Sequence, residues 1–312
     1  MTRHNVKIGS GAARDVPPPN IFLSSICNHD CLFCSEGGID NAQTPDQIRE
    51  VISMRPDTLS IEGGEPTLSR RLPEWVRLAR EAGVRDIILC TNGVRFDDAS
   101  YVNELCDAGV TLFNVNFPSH IEKVFDTVTR TRGQFKGRLK ALRGLIDAAG
   151  GQRVRLNCVV HSLSYMTLED YARFVNRHFP EVYYVEFNMI KDLGYVMQRH
   201  YLVPRLRDLI PRLTAAMALM DRLGMKYICD GFPLCLLPER EYAAIDTYKR
   251  MTGNSLYMGE KKKSRRCAGC TLGELCAGLR GDYMTIHGDG EIKASAINPA
   301  PIKARIRKMF RR

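Results

Sequence analysis

Between residues 21 and 190, six short β-like runs alternate with stretches of helical periodicity, which leaves very few architectures open to the chain. The runs are 21–27, 58–62, 86–92, 111–117, 153–161 and 182–190. Thr44-Pro45-Asp46-Gln47 reads as an N-cap, a proline at the first helical position and a glutamine three residues on. Gly83, Gly109 and Gly150 follow helical runs where left-handed C-caps are expected. Six strand–helix units predict a parallel sheet with right-handed crossovers, either a barrel or a doubly wound sheet. A helix over 204–224 and a further strand over 226–229 come next. Beyond Asp230 glycine, proline, lysine and cysteine dominate and periodicity fades. This predicts an N-terminal extension over 1–19, an α/β body over 20–230 and a small domain over 231–312 that needs a metal as its organising centre.

Composition narrows the class. The 312 residues are 44% hydrophobic and 26% charged, as in a globular protein. No apolar run approaches the ~18–20 residues that span a bilayer, and the N-terminus lacks the apolar core of a secretory signal. A cytoplasmic protein with no membrane segment is therefore expected. The net charge of +10 favours acidic partners such as phosphorylated metabolites, nucleic acid or an anionic surface. Eleven cysteines, an odd number in a chain without an export signal, point to metal or redox chemistry rather than disulfides.

Cys27-x3-Cys31-x2-Cys34 directly follows the first predicted strand, at the edge of a parallel sheet where active sites collect. Three thiolates at this spacing can ligate three irons of a [4Fe–4S] cluster and leave the fourth open. Zinc is the alternative, but no nearby fourth ligand other than His29 is present. One βα unit later Gly63-Gly64-Glu65-Pro66 follows the second strand, with two glycines that permit close backbone approach and a glutamate able to bind an ammonium group.

These two motifs, with Phe33 at the aromatic position of the first, resemble the radical S-adenosylmethionine (SAM) superfamily over about residues 20–230. The resemblance implies a partial (β/α)6 barrel whose Cys27, Cys31 and Cys34 hold a SAM-binding [4Fe–4S] cluster. It implies that Gly63, Gly64 and Glu65 lie near the methionine amino group and Phe33 near the adenine. It also implies an electron donor such as flavodoxin or ferredoxin. Asn116, Asn157 and Asn188 fall where SAM-contacting residues occur, and Arg155 where related enzymes contact substrate. Pro118 stands where many relatives carry an aspartate, and that contact is not expected here.

Strand parity supports a ligand-lined interior independently, because successive side chains alternate faces. Val154, Leu156, Cys158 and Val160 form one apolar face, leaving Arg155, Asn157 and His161 on the other. Asn114 and Asn116 share a face, as do Glu186 and Asn188, and Cys90 and Asn92. Cys90 is thus a candidate redox or hydrogen-donating residue, with a plain packing role as its alternative. His161, at a strand end, reads as structural.

Cys267-x2-Cys270-x5-Cys276 follows Cys229 and Cys235 by about 30 residues, enough thiolates for a second [4Fe–4S] cluster or a zinc ion. The stretch from Gly231 to Cys235, with the spacing that follows it, resembles the auxiliary-cluster segment of SPASM/twitch-type enzymes. That resemblance assigns Cys235, Cys267, Cys270 and Cys276 as ligands and keeps Cys229 as a possible alternative. The molybdopterin-type cyclase has a longer C-terminal cysteine spacing and a Gly-Gly tail, so that identity is not expected. The expected function is a two-cluster radical SAM oxidoreductase or transferase acting on a small-molecule or peptide substrate, possibly anionic. A zinc-organised basic nucleic-acid-binding protein is the alternative, weakened by the absence of interleaved aromatics. The tail over 301–312 alternates apolar residues with cations; a solvated basic tail with no role is the plain reading, and folding against an anionic partner or over the barrel mouth is the alternative.

Overall fold

The computed structural model describes residues 20–253 and 258–309; the N-terminal extension and residues 310–312 of the basic tail lie outside the described residues. A seven-stranded, wholly parallel sheet runs in sequence order: β1 (Asn20–Phe22), β2 (Thr58–Glu62), β3 (Asp86–Thr91), β4 (Leu112–Asn116), β5 (Val154–Val160), β6 (Tyr184–Met189) and β7 (Tyr227–Asp230). The strand expected over 226–229 is therefore a seventh member, paired with β6 at Phe187↔Cys229 and Asn188↔Asp230.

Helices α1 (Pro45–Ser53), α2 (Leu72–Glu81), α3 (Ala99–Ala108), α4 (Glu122–Thr129), α5 (Phe135–Ala149), α6 (Leu168–His178) and α7 (Leu206–Arg222) supply the crossovers. The capping box at Thr44 forms as read: its hydroxyl accepts from the Gln47 amide while the Gln47 side chain accepts from the Thr44 amide. Gly109 and Gly150 cap α3 and α5.

The helix-facing side of the sheet is apolar and dry. Val154, Leu156, Cys158 and Val160 on β5 have no exposed surface, while Arg155 and Asn157 between them face the other side and remain partly accessible. Phe117, just past β4, meets Phe125, Phe135, Tyr171 and Phe174 with ring centroids within 6.3 Å. Burial of such side chains contributes roughly 1.5–3 kcal/mol each.

One strand is shorter than expected. The run over 21–27 pairs only to Phe22, because β2 ends at Glu62 and Gly63 turns away with φ +87°, which removes the ladder partner. Leu23 still donates to the Glu62 carbonyl at 2.8 Å, after which the chain runs as a loop into Cys27.

Past β7, helix α8 (Ile245–Thr252), the two-stranded antiparallel pair β8 (Lys261–Lys262) and β9 (Leu279–Arg280), α9 (Gly281–His287) and α10 (Pro299–Met309) complete the described chain. A buried charge network fastens this region to the sheet. The Lys261 ammonium donates to Asp230 at 2.8 Å and to both Asp246 oxygens at 2.5 Å. Arg280, 3% exposed, pairs with Glu260 and Asp282.

The tail does not lie over the barrel mouth. It forms α10, whose Ile302 and Ile306 are buried against the turn at residues 241–243. Arg305 stacks on Tyr242, 3.3 Å from the ring centroid, and Tyr242 in turn bonds Tyr227 at the N-terminal start of β7. Two buried isoleucines four residues apart account for the docking: they form one stripe of a helix and leave the cations outside. Among the described residues no helix is long and apolar enough to cross a membrane.

Ile306→Asp should therefore release α10 at a cost of about 3 kcal/mol or more, read as a lower Tm and faster tryptic cleavage at Lys303 and Arg305. Ala304→Asp, on the exposed side, should change neither.

Candidate functional site

The loops at the C-terminal edge of β1, β2 and β3 are bolted into one unit. Gly63 and Gly64 adopt φ +87° and +53°, and a Cβ on Gly64 would stand 2.2 Å from the Ile26 carbonyl oxygen. The close approach read from these glycines is thus an approach to the protein's own cysteine loop. The Glu65 amide completes it by donating to Ile26 O at 2.8 Å.

Glu65, 1% exposed, clamps the neighbouring loops through its carboxylate. One carboxylate oxygen accepts from the Thr67 amide at 3.1 Å and from the hydroxyls of Thr67 and Thr91 at 2.6 Å each. The other accepts from the Asn92 amide at 2.6 Å. These four donors hold the loop together. Asn92 carries the connection on, with Nδ2 donating to Asn28 Oδ1 at 2.6 Å and lying 3.9 Å from Cys27 Sγ.

Cys27, Cys31 and Cys34 sit together on this loop. The His29 amide donates to Cys27 Sγ at 3.4 Å, and the amides of Glu36 and Gly37 stabilise the Cys34 sulfur. Burial pushes all three thiols up, Cys31 furthest. Neighbouring elements pin the loop from outside: Leu32 donates to Val128 O at 2.7 Å, Tyr195 donates to Cys34 O at 3.1 Å, and Arg199 donates to Leu32 O at 3.1 Å. Phe33 is 8% exposed and stacks on His161, with centroids 5.5 Å apart.

Sequence reasoning missed Arg138. It lies on the buried stripe of α5 with Phe135, Ala141, Leu142 and Leu145, is 3% exposed, and has Nε and one Nη without hydrogen-bond partners. Burial lowers its pKa to about 10, against the pull of Glu65, Cys31 and Cys27. A cation on an apolar helical stripe was the available signal. In a buried site such a group calls for an anion.

Polar residues line the bore as parity predicted. Asn116 and Asn157 are register partners, the Asn188 amide donates to Asn157 Oδ1 at 3.0 Å, and Asn116 Oδ1 is buried without a partner. The Arg155 guanidinium meets Asn114 at 2.9 Å, Tyr184 at 3.1 Å and Glu186 at 3.2 Å through Nε and one Nη, and the residue remains partly accessible. Cys90 Sγ accepts from Asn114 at 3.3 Å; burial, then Glu62, pushes its pKa up to about 12 and keeps it a thiol. Glu62 also faces this bore. Burial and then the nearby Glu36 raise its pKa to about 7, with Lys191 and Arg155 opposing.

Cys235, Cys267, Cys270 and Cys276 line a second cavity, lying among Leu272, Leu279 and Ile292. The Ser295 amide donates to Cys270 Sγ at 3.3 Å and the Gly278 amide to Cys276 Sγ at 3.4 Å. Cys229 does not join them. It is fully buried in the sheet core on β7, and burial pushes its thiol well up, so it is a packing residue and not an alternative ligand.

The three-cysteine loop at the sheet edge, bolted to the glycine–glutamate loop, coincides with a match to known proteins. The radical SAM superfamily model matches residues 21–175, from β1 to α6. The chain carries a radical SAM superfamily domain. A probable GTP 3',8-cyclase of Metallosphaera sedula is 33% identical over 150 residues, 45% of each chain. Another from Sulfolobus acidocaldarius is 27% identical over 187 residues, 57% of this chain and 58% of that one. The chain thus spans about half the length of the curated relatives it matches. The structure described as native anSMEcpe with bound AdoMet and Cp18Cys peptide has the same fold, with a TM-score of 0.57 at 14% identity over 93% of this chain and 94% of that one. SuiB of Streptococcus suis gives 0.53 at 15% identity, over 67% and 48%. The radical SAM family implies SAM and one [4Fe–4S] cluster as cofactors.

Two consequences can be measured. Gly64→Ala and Gly133→Ala both place alanine at positive φ, but only Gly64 faces a backbone oxygen. Gly133→Ala should cost about 1 kcal/mol and Gly64→Ala about 3 kcal/mol or more in denaturant unfolding.

His161 accepts the Leu163 amide on Nδ1, and its buried Nε2 has no partner. Burial lowers its pKa to about 4. Between pH 6.5 and 4 the unfolded chain then binds the extra proton, so stability falls as pH falls through that window and levels off below it. The loss amounts to about 3 kcal/mol. His161→Phe should remove this part of the acid-side loss in the metal-free protein and leave that of His29, whose pKa burial also lowers to about 4.

Proposed function

We propose that this chain is a radical SAM enzyme that abstracts hydrogen from a small-molecule or peptide substrate in natural-product or cofactor biosynthesis. The observation that carries the reading is the convergence of Cys27, Cys31 and Cys34 on a loop welded to Gly63-Gly64-Glu65-Pro66, inside a radical SAM domain. When bound, the cluster and SAM supply reductive cleavage to methionine and a 5'-deoxyadenosyl radical.

The chain's own residues do the rest. Three sulfurs with amide donors close by suit an iron–sulfur group, whose thiolates are tuned by such hydrogen bonds. Arg138 offsets negative charge gathered behind the loop. Phe33 offers a flat wall for the adenine, while Asn116, Asn157 and Asn188 offer amide donors and acceptors along the strand ends. Arg155 and Glu186 neutralise each other and set the floor of the bore. Cys90, as a thiol, faces the same space and retains its candidate role as a hydrogen donor.

We assign Cys235, Cys267, Cys270 and Cys276 to a second [4Fe–4S] cluster. Their sulfurs line one cavity. Four thiolates can close the coordination of such a cluster, and the radical SAM domain in the same chain favours it over zinc. The relatives named GTP 3',8-cyclase make cofactor biosynthesis a natural setting. A cytoplasmic compartment and an electron donor such as flavodoxin or ferredoxin belong to the same reading.

Anaerobically prepared protein should hold about eight irons per chain, about four in each cluster. Replacing Cys27, Cys31 and Cys34 with Ala should remove half of them and abolish 5'-deoxyadenosine formation. Replacing the C-terminal four should remove the other half and spare SAM cleavage while impairing turnover. Continued 5'-deoxyadenosine production by the first variant would refute the assignment of the SAM site. Zinc with only four irons in the intact protein would refute the second cluster.

A further inference from the structure

The chain's positive charge is not spread evenly. Residues 261–308 carry eleven Lys and Arg against four Asp and Glu, a net +7 of the chain's +10. This segment holds three of the four cysteines that line the second cavity.

The outer wall of that cavity is thin. Cys267 and Cys270 are separated only by Ala268 and Gly269, both exposed. Beside them Thr271 is stitched to the 295–297 segment, its amide donating to Ser295 O at 2.8 Å and its hydroxyl to Ile297 O at 2.7 Å. Ala294 and Ala296 on that segment are exposed as well. The result is a patch of small side chains directly over the cysteines, flanked by exposed Lys262, Lys263, Arg265, Arg266 and Lys293. Long side chains over the wall would hold a partner away from the sulfurs. Small ones let it approach, and a cationic rim orients it.

We propose that this patch docks an acidic, one-electron redox protein, which exchanges electrons with the group held by Cys235, Cys267, Cys270 and Cys276. The inference rests on the second-cluster reading. In the reductive direction the reduced carrier loses one electron and the oxidised cluster gains it, with no bond made or broken. Nucleic acid is the other polyanion a basic patch can attract, but stacking platforms are missing here. The sole Phe, Trp or Tyr among residues 261–308 is Tyr283, which is 1% exposed.

The test uses intact, cluster-loaded protein and a reduced acidic flavodoxin, with flavin oxidation followed by stopped flow. The triple variant Arg265→Glu, Arg266→Glu, Lys293→Glu should lower the second-order rate constant about tenfold or more at low salt and flatten its salt dependence. The corresponding Gln triple should fall between. Iron content and reduction by dithionite should match the parent. A control reversing Arg77, Lys123 and Lys136, exposed on α2, α4 and α5, should behave as the parent.

Eight irons with flavodoxin rates unchanged in the Glu triple would overturn the docking inference alone. Four irons in the parent would overturn the second cluster and the inference with it. Tight binding of a structured RNA, lost in the Glu triple, would assign the patch to nucleic acid instead.

Discussion

The carboxylate of Glu65 holds the site in one piece. It joins the turn after β2 to the end of β3 through four hydrogen bonds, and through Asn92 it reaches the first cysteine. Hydrogen bonds to a charged acceptor are worth roughly 1.5–3 kcal/mol each, and removing a buried acceptor leaves its donors unsatisfied. The value of Glu65 lies in fixing where the backbone of Gly63 and Gly64 stands relative to Cys27. The buried guanidinium of Arg138 completes the local charge balance by facing Glu65 and the cysteines together.

Much of this was legible in the sequence because it depends on period and spacing. Alternating strands and helices predicted a parallel sheet, and parity on β5 separated Leu156 and Cys158 from Arg155 and Asn157 as the structure does. The cysteine loop and the glycine–glutamate loop were found as motifs. What escaped were the long-range partners. Nothing local reveals that Glu65 is enclosed by Thr91 and Asn92, 26 and 27 residues on, or that Arg155 is claimed by Glu186 across the β5–β6 ladder. Cys229 was legible as a cysteine near other cysteines but not as a core residue, because its burial depends on β7 joining the sheet. The tail misled for a related reason. Its alternating pattern suits a strand or a helix, and only the apolar surface at Tyr242 and its neighbours selects the helix.

Charge is organised on two scales. Inside, acids and bases occur as close couples: Arg155 with Glu186, Lys261 with Asp230 and Asp246, Arg280 with Glu260 and Asp282. Such couples do little for net stability, since desolvation consumes most of the Coulomb gain, but they tolerate only one geometry. They fix the C-terminal segment against β7 and the loop after β6 in a single arrangement. Outside, cations outnumber acids around the second cysteine cavity, where Arg266 pairs with Asp289 at 3.5 Å while Lys262, Arg265 and Lys293 are exposed, and so act at longer range.

The clamp on the first cysteine loop has a consequence for biogenesis. Leu32 and Cys34 are held by Arg199 and Tyr195, and the Leu32–Arg199 contact joins positions 167 apart in the chain. During synthesis the triad therefore emerges long before the residues that immobilise it. Until β6 and its following loop are in place, the three cysteines sit on a loop that lacks these two clamps. Once that loop closes, the same thiols are pinned and partly covered. Pinning of the cysteine loop thereby waits on synthesis of the loop after β6, and any later opening of it has to loosen the contacts at Tyr195 and Arg199.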